Sequence, residues 1–234
     1  MSKRSVAIVT GGSQGLGRAL ALELHKRGMT VITCSSGKAD LPAGIEAHTV
    51  DVRDGAAVKA FVKDVLKRHT KVGVLVNNAA WGGSLKLIED VTDEEYKKMV
   101  ETNLDGVFYC CRAILPVLRK QKSGMILNVS SRAGMRAHPN IGLYSATKFA
   151  VRGLTQAIAK ELADLPKVSC ISICPGGIHT SMRTELFGEE DSARQQSPET
   201  VAKIMADIID GKIGVPSGAD VSVVAGNVQV DEMA

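Results

Sequence analysis

Tyr144 and Lys148 stand four residues apart in Leu143-Tyr144-Ser145-Ala146-Thr147-Lys148. On a helix that spacing puts both side chains on one face, one turn apart. An ammonium beside a phenol favours the phenolate and lowers the phenol's pKa. A tyrosine tuned this way can exchange a proton with an alcohol or carbonyl oxygen near neutral pH. The pattern is short and common, and it also describes the polar face of an ordinary helix. Its meaning depends on what the rest of the chain places around it.

A second chemical stretch lies near the start. Thr10-Gly11-Gly12-Ser13-Gln14-Gly15-Leu16-Gly17 follows the apolar run Val6-Ala7-Ile8-Val9 and precedes a helical pattern through Leu20, Leu22 and Leu24. Gly11, Gly15 and Gly17 lack a Cβ, so the backbone can turn tightly and approach a ligand. The N–H groups and dipole at the helix start then favour a pyrophosphate. A strand before such a turn and a helix after it form the context a dinucleotide site requires.

The elements that must position these residues alternate. Strands are expected at 6–9, 30–33, 45–50, 72–76, 124–129, 168–173 and 221–224, the last of these the final strand. Helices are expected at 18–27, stopped by Gly28; from the cap Asp54 to about His69; at 92–100; at 104–120, kinked or tightened at Pro116; at 142–162; and from Ser197-Pro198-Glu199 onward. The order predicts an α/β fold: a doubly wound parallel sheet with helices on both faces, a Rossmann fold in a single domain over 1–234. The stretch from about 179 to 197 has no clear period. It reads as a substrate flap or as a solvated loop.

Composition narrows the classes. The chain has 234 residues, enough for one α/β core. No apolar run is long enough for a membrane span, and Met1–Arg4 lead into a strand without a signal-peptide pattern. The five cysteines are odd in number and form no C-x-x-C pair. Neither disulfides nor a metal site is expected, and a cytoplasmic, reducing setting fits. A net charge of +4 with interspersed signs, and only 3% aromatic residues, argue against a nucleic-acid partner.

The glycine spacing is G-x-x-x-G-x-G and, with Thr10, resembles the T-G-x-x-x-G-x-G of the short-chain dehydrogenase/reductase family. Further landmarks follow in order. Asn77-Asn78-Ala79-Ala80 is similar to the family's N-N-A-G, with Ala80 for its glycine. Asn103 falls at a catalytic asparagine, and Asn128-Val129-Ser130-Ser131 ends a strand. Ser131 precedes Tyr144 by 13 residues, the family's spacing. Tyr144 and Lys148 match Y-x-x-x-K, and Pro175-Gly176-Gly177-Ile178-His179-Thr180 is similar to P-G-x-x-x-T. The C-terminus shows no clear counterpart of the family's glycine-rich final strand.

The resemblance implies an NAD(P)-dependent oxidoreductase acting on a carbonyl or a secondary alcohol. Tyr144 would be the acid/base. Lys148 would lower its pKa and bind the nicotinamide ribose, Ser131 would position the substrate oxygen, and Asn103 would hold a water on a proton path. Taken alone, Ser131 reads better as a strand-end cap and Asn103 as a helix-interior turn breaker; beside Tyr144 and Lys148 at matching spacings, the functional reading is favoured for all four. The cofactor site would comprise Thr10, Gly11, Ser13, Gln14, Gly15, Leu16 and Gly17; Asn78, Ala79 and Ala80; Tyr144 and Lys148; and Pro175, Gly176, Ile178 and Thr180.

NAD sites place an acidic residue at the end of the second strand. Here that strand runs into Cys34-Ser35-Ser36-Gly37-Lys38 with no carboxylate before Asp40. Ser35, Ser36 and Lys38 can meet a 2′-phosphate, so NADP is expected over NAD. Asp51 and Val52 should flank the adenine, Asp51 accepting from its amino group. Trp81 suits either packing or the substrate mouth, while Arg136 and His138 suit either an acidic substrate or solvent. The substrate is a small carbonyl or alcohol compound; a 3-oxoacyl thioester reductase and a dehydrogenase of small hydroxy compounds are both open. A non-enzymatic NADP-binding redox sensor is the alternative. Surplus apolar residues on the helices at 104–120 and 142–162 predict a homodimer or homotetramer.

Overall fold

The computed structural model describes residues 5–232. The ends, including the expected lead-in at Met1–Arg4, lie outside them. Eight strands form one sheet in the order β3-β2-β1-β4-β5-β6-β7-β8. The first seven are parallel: β1 (Val6–Thr10), β2 (Thr30–Ser35), β3 (Ile45–Thr49), β4 (Val74–Asn77), β5 (Gly124–Val129), β6 (Val168–Pro175) and β7 (Asp220–Val224). Their central members read as apolar runs because both sheet faces are covered.

Alternate residues feed two cores. Ile8, Leu75 and Ile126 point to the face covered by α2 (Gly55–Arg68), α4 (Gly106–Gln121) and α5 (Gly142–Glu161). Ala7, Val9, Val74, Val76 and Leu127 point to the face covered by α1 (Gly15–Lys26) and α8 (Pro198–Ile209). The caps read from sequence are in place. Asp54 accepts from Ala56 N at 2.8 Å and Ala57 N at 3.0 Å. Ser197 accepts from Thr200 N at 3.1 Å, with Pro198 at the first position of α8. Gly28 takes a φ of +85° just past α1.

Three regions differ from the sequence reading. The sheet does not end at 224. An antiparallel β8 (Asn227–Asp231) follows, reached through Ala225 and Gly226 with φ of +49° and +77°. Two positive φ values form the tight hairpin turn whose twist matches that of its strands. The stretch at 179–197 is not a loop but carries α6 (Ser181–Phe187) and α7 (Glu189–Ala193). Finally, α3 (Asp93–Val100) and α4 are joined by a π turn over Glu101–Asp105, and α4 runs on through Pro116. Asn103 lies in that π turn, fully buried. Such turns are rare and are frequent at functional sites.

Candidate active site

The sheet order reverses between β1 and β4, where α/β folds bind ligands beyond the carboxyl ends of their strands. The two strand ends are knitted together there. Thr10 Oγ1 accepts from Asn78 N and Ala79 N, both at 3.0 Å. Asn78 Nδ2 donates to Thr10 O at 2.9 Å and Gly11 O at 3.3 Å. Gly11 and Gly15 hold φ of +68° and +53°, which disfavour a side chain. A Cβ on Gly17 would collide with the Gly11 carbonyl and the Asn78 amide. The turn can therefore lie flat against α1 only with these glycines.

Gln14, at the N-cap of α1, makes no side-chain capping bond. The first-turn N–H groups are thus left for a ligand, and Ser13, Gln14, Gly15 and Leu16 line the cleft in front of them. Open donors at a helix start and a cradle without Cβ atoms fit the pyrophosphate of a dinucleotide.

The cleft holds about 860 Å³. It brings together most of the residues singled out in the sequence: Gly11, Ser35, Ser36, Asp51, Val52, Asn78, Ala79, Ala80, Ser131, Tyr144, Lys148, Pro175, Gly176, Ile178 and Thr180. Thr10, Gly17 and Asn103 stand behind its wall and act on it indirectly. Lys38 is exposed and does not line it. At the end of β2, Ser35 is buried and its hydroxyl donates to Gly37 O at 2.8 Å, while Ser36 is exposed. The Asp51 carboxylate is occupied by Arg53, whose Nε and Nη2 approach it at 3.0 and 2.6 Å. That contact holds the carboxyl below the usual carboxylate range.

The reacting centre forms where β5 and α5 meet. Ser131 lies two residues past β5 and caps a short turn, accepting from Ala133 N at 3.1 Å. Tyr144 enters on the first turn of α5 and Lys148 one turn later. Lys148 is 2% exposed and donates to Val129 O at 2.8 Å. Burial takes its pKa down to about 8. Its ammonium lies 5.6 Å from the centroid of the Tyr144 ring. The phenol is pushed up by burial, and the Ser131 side chain beside it pulls the other way. The lowering of the phenol by Lys148 expected from sequence is thus absent from this geometry. The ammonium points at a backbone carbonyl, and desolvation of both groups dominates.

Asn103 clasps the backbone of Trp81. Its Oδ1 accepts from Trp81 N at 2.8 Å and its Nδ2 donates to Trp81 O at 2.9 Å. The π turn aims that amide at the segment following Asn77-Asn78-Ala79-Ala80, so Asn103 shapes the floor between the two halves of the cleft. Trp81 lines the cleft with Lys98 stacked 4.2 Å from its ring centroid.

The sequence reading missed part of the wall. Arg53, Arg132, Met182, Arg183, Leu186 and Phe187 all line the cleft. The signal for α6 was present in two pairs at helical spacing: Met182 with Leu186, and Arg183 with Phe187. His138 also lines the cleft; Arg136 does not.

The fold and cleft are those of a dinucleotide-binding α/β protein. Residues 5–191 match the family model for short chain dehydrogenases. The chain is 38% identical over 213 residues to a 3-oxoacyl-[acyl-carrier-protein] reductase of Synechocystis sp., covering 84% of this chain and 85% of that one. It is 32% identical over 221 residues to an NADPH-dependent pterin aldehyde reductase of Arabidopsis thaliana, covering 91% and 90%. Among solved structures, the 3-ketoacyl-(acyl-carrier-protein) reductase from Brucella melitensis complexed with NADH superposes with a TM-score of 0.88 at 29% identity, covering 94% of this chain and 97% of that one. The chain belongs to the short-chain dehydrogenase/reductase family, and it is an oxidoreductase of the kind that acts on carbonyl and CH–OH groups with a nicotinamide cofactor.

Proposed function

We propose that the chain is an NADP-dependent reductase or dehydrogenase in which Tyr144 is the general acid/base. One observation carries the reading: Ser131, Tyr144 and Lys148 face the same cleft as the open N-terminus of α1 and its glycine turn. A bound nicotinamide supplies or accepts the hydride. The protein manages position and proton. The Tyr144 hydroxyl donates its proton to the carbonyl oxygen in reduction and takes one from the alcohol in oxidation. Ser131 donates to the same oxygen and fixes it beside the phenol. Lys148 holds the nicotinamide ribose. Asn103 holds Trp81 and the turn before it in register with α5.

NADP is favoured because Ser35 and Ser36 end β2 with no carboxylate beside them, and the one nearby, Asp51, is neutralised by Arg53. A relative named as NADPH-dependent accords with this. The substrate is a carbonyl compound that enters between Trp81 and the apolar face of α6, with residues 179–197 as its cover. Oxoacyl thioesters and small hydroxy compounds are both within this class. The described cysteines are all buried and unpaired, which suits the cytoplasm.

Purified protein should oxidise NADPH in the presence of ethyl acetoacetate, acetoacetyl-CoA or benzaldehyde. Tyr144→Phe should keep NADPH binding and lose turnover by roughly two to four orders of magnitude. A Tyr144→Phe protein with most of its turnover intact would rule out this chemistry and favour a dinucleotide-binding sensor.

A further inference from the structure

Arg152 does not line the cleft, yet it anchors one of its walls. It lies on α5 one turn past Lys148, and its guanidinium is spread over two partners. Nε and Nη2 donate to Asp220 Oδ2 at 2.8 and 2.6 Å, and Nη1 donates to the Gly134 carbonyl at 2.7 Å. Asp220, at the start of β7, is 4% exposed, and its other oxygen accepts from the Ser172 hydroxyl of β6. An ion pair with its carboxylate buried is a poor source of stability, because desolvation offsets much of the attraction. What it contributes is geometry.

Gly134 closes the short turn that begins at Ser131. Its N–H donates to Ser131 O at 2.9 Å, and Ser131 Oγ accepts from Ala133 N in the same turn. On its other side the turn lies directly on α5. A Cβ at Gly134 would sit 2.7 Å from the Lys148 carbonyl carbon and 2.6 Å from Ser130 Oγ. Ser130 Oγ in turn donates to Lys148 O at 2.9 Å. The Ser131 hydroxyl is thus carried on a turn pressed against the helix that bears Tyr144 and Lys148, and the far end of that turn is held by Arg152.

We propose that Arg152 is a positioning residue: with Asp220 as its fixed point, it holds the 131–134 turn so that the Ser131 hydroxyl stays beside that of Tyr144. This rests on the reading of Ser131 and Tyr144 given under Proposed function. Without the guanidinium the Gly134 carbonyl loses its side-chain donor, and among the described residues the remaining side-chain hydrogen bond from this segment to α5 is Ser130 Oγ to Lys148 O. A drift of about 1 Å at a reacting group costs on the order of a hundredfold in rate.

The test is a double-mutant cycle between Arg152→Met and Ser131→Ala, using NADPH-dependent reduction of ethyl acetoacetate at saturating NADPH. Arg152→Met should lower kcat by roughly ten- to a hundredfold, change KM little, and leave NADPH affinity by fluorescence titration within about threefold. In the Ser131→Ala background the same change should cost almost nothing, because the group it positions is already gone. Arg152→Lys, which keeps the charge and reaches one partner, should recover part of the loss. Asp220→Asn keeps the side-chain size and should show the same coupling to Ser131→Ala; it carries the cycle if Arg152→Met does not fold. Equal losses in both backgrounds, or an unchanged kcat with only a lower Tm, would overturn the proposal. Full turnover in Ser131→Ala alone would also overturn it, by removing the chemistry on which it rests. Loss of coupling with Ser131→Ala still impaired would remove Arg152's role and leave that chemistry standing.

Discussion

Replacing Lys148 with methionine should alter stability in a way that depends on pH. The amine is 2% exposed, and burial brings its pKa from the ordinary 10.5 to about 8. In the unfolded chain it stays protonated up to its ordinary value. Between the two values the unfolded state therefore binds more protons than the folded state, and stability rises with pH. The cost of holding the charge inside is fully present below about pH 8 and fades above it. At about 1.36 kcal/mol for each pH unit, the full cost is about 3 kcal/mol. Methionine has similar reach and no charge, so it removes that cost. It also leaves the Val129 carbonyl without its 2.8 Å donor. Losing a hydrogen bond from a charged group costs roughly 1.5–3 kcal/mol. At one pH the two effects largely cancel, but the change with pH isolates the lysine. Urea unfolding of both proteins, followed by the fluorescence of the single tryptophan, Trp81, gives that difference. From about pH 6.5 to about pH 9.5 the wild type should gain about 2 kcal/mol on the variant. Other titrating groups act on both proteins and drop out. A difference that stays flat over this range would refute the reasoning, because it would mean that the amine is solvated or paired in solution.

Two further predictions concern the cofactor and the assembly. Ser35→Asp places a carboxylate at the end of β2 and should shift preference from NADP towards NAD, read by fluorescence titration; wild-type protein that already binds NAD more tightly counts against the NADP reading. Phe108 on α4 and Phe149 on α5 are 42% and 41% exposed, and burying them between copies favours a symmetric homo-oligomer. Sedimentation at micromolar concentration should show a dimer or tetramer, and a monomer would contradict it.

The parallel strands were legible because burial on both faces leaves continuous apolar runs, and the glycine turn was legible because its backbone admits few other residues. The spacing of Ser131, Tyr144 and Lys148 survives folding because a strand end and one helix carry all three. Other features left weaker marks. The π turn at Asn103 is a one-residue change of hydrogen-bond partner with no compositional signature. The hairpin into β8 turns at Ala225, where asparagine or aspartate would have announced it, although Asn227 to Asp231 alternate polar and apolar as an edge strand does. The raised phenol of Tyr144 and the depressed amine of Lys148 follow from neighbours far away in sequence. In this structure burial, which the spacing of the two residues does not reveal, sets the direction for each group.

The core on the α1 side of the sheet also has a history in time. Leu16, Leu20 and Leu24 pack with Val201, Met205 and Ile208 of α8. Arg27 closes the pair by bonding Asp207 at 2.7 Å across 180 residues, and Asp210 at 2.8 Å. During synthesis the amino-terminal parts emerge first, at about 5–20 residues per second. The glycine turn therefore leaves the ribosome early, attached to a helix that can pack on β1 and β2 but whose α8-facing stripe stays uncovered until α8 follows many seconds later. The earliest part of the nucleotide site is completed only when its last packing partner arrives. In the interval that stripe is open to a chaperone or to another nascent chain, and substitutions in α8 should reduce the yield of folded protein even though none of its residues faces the cofactor.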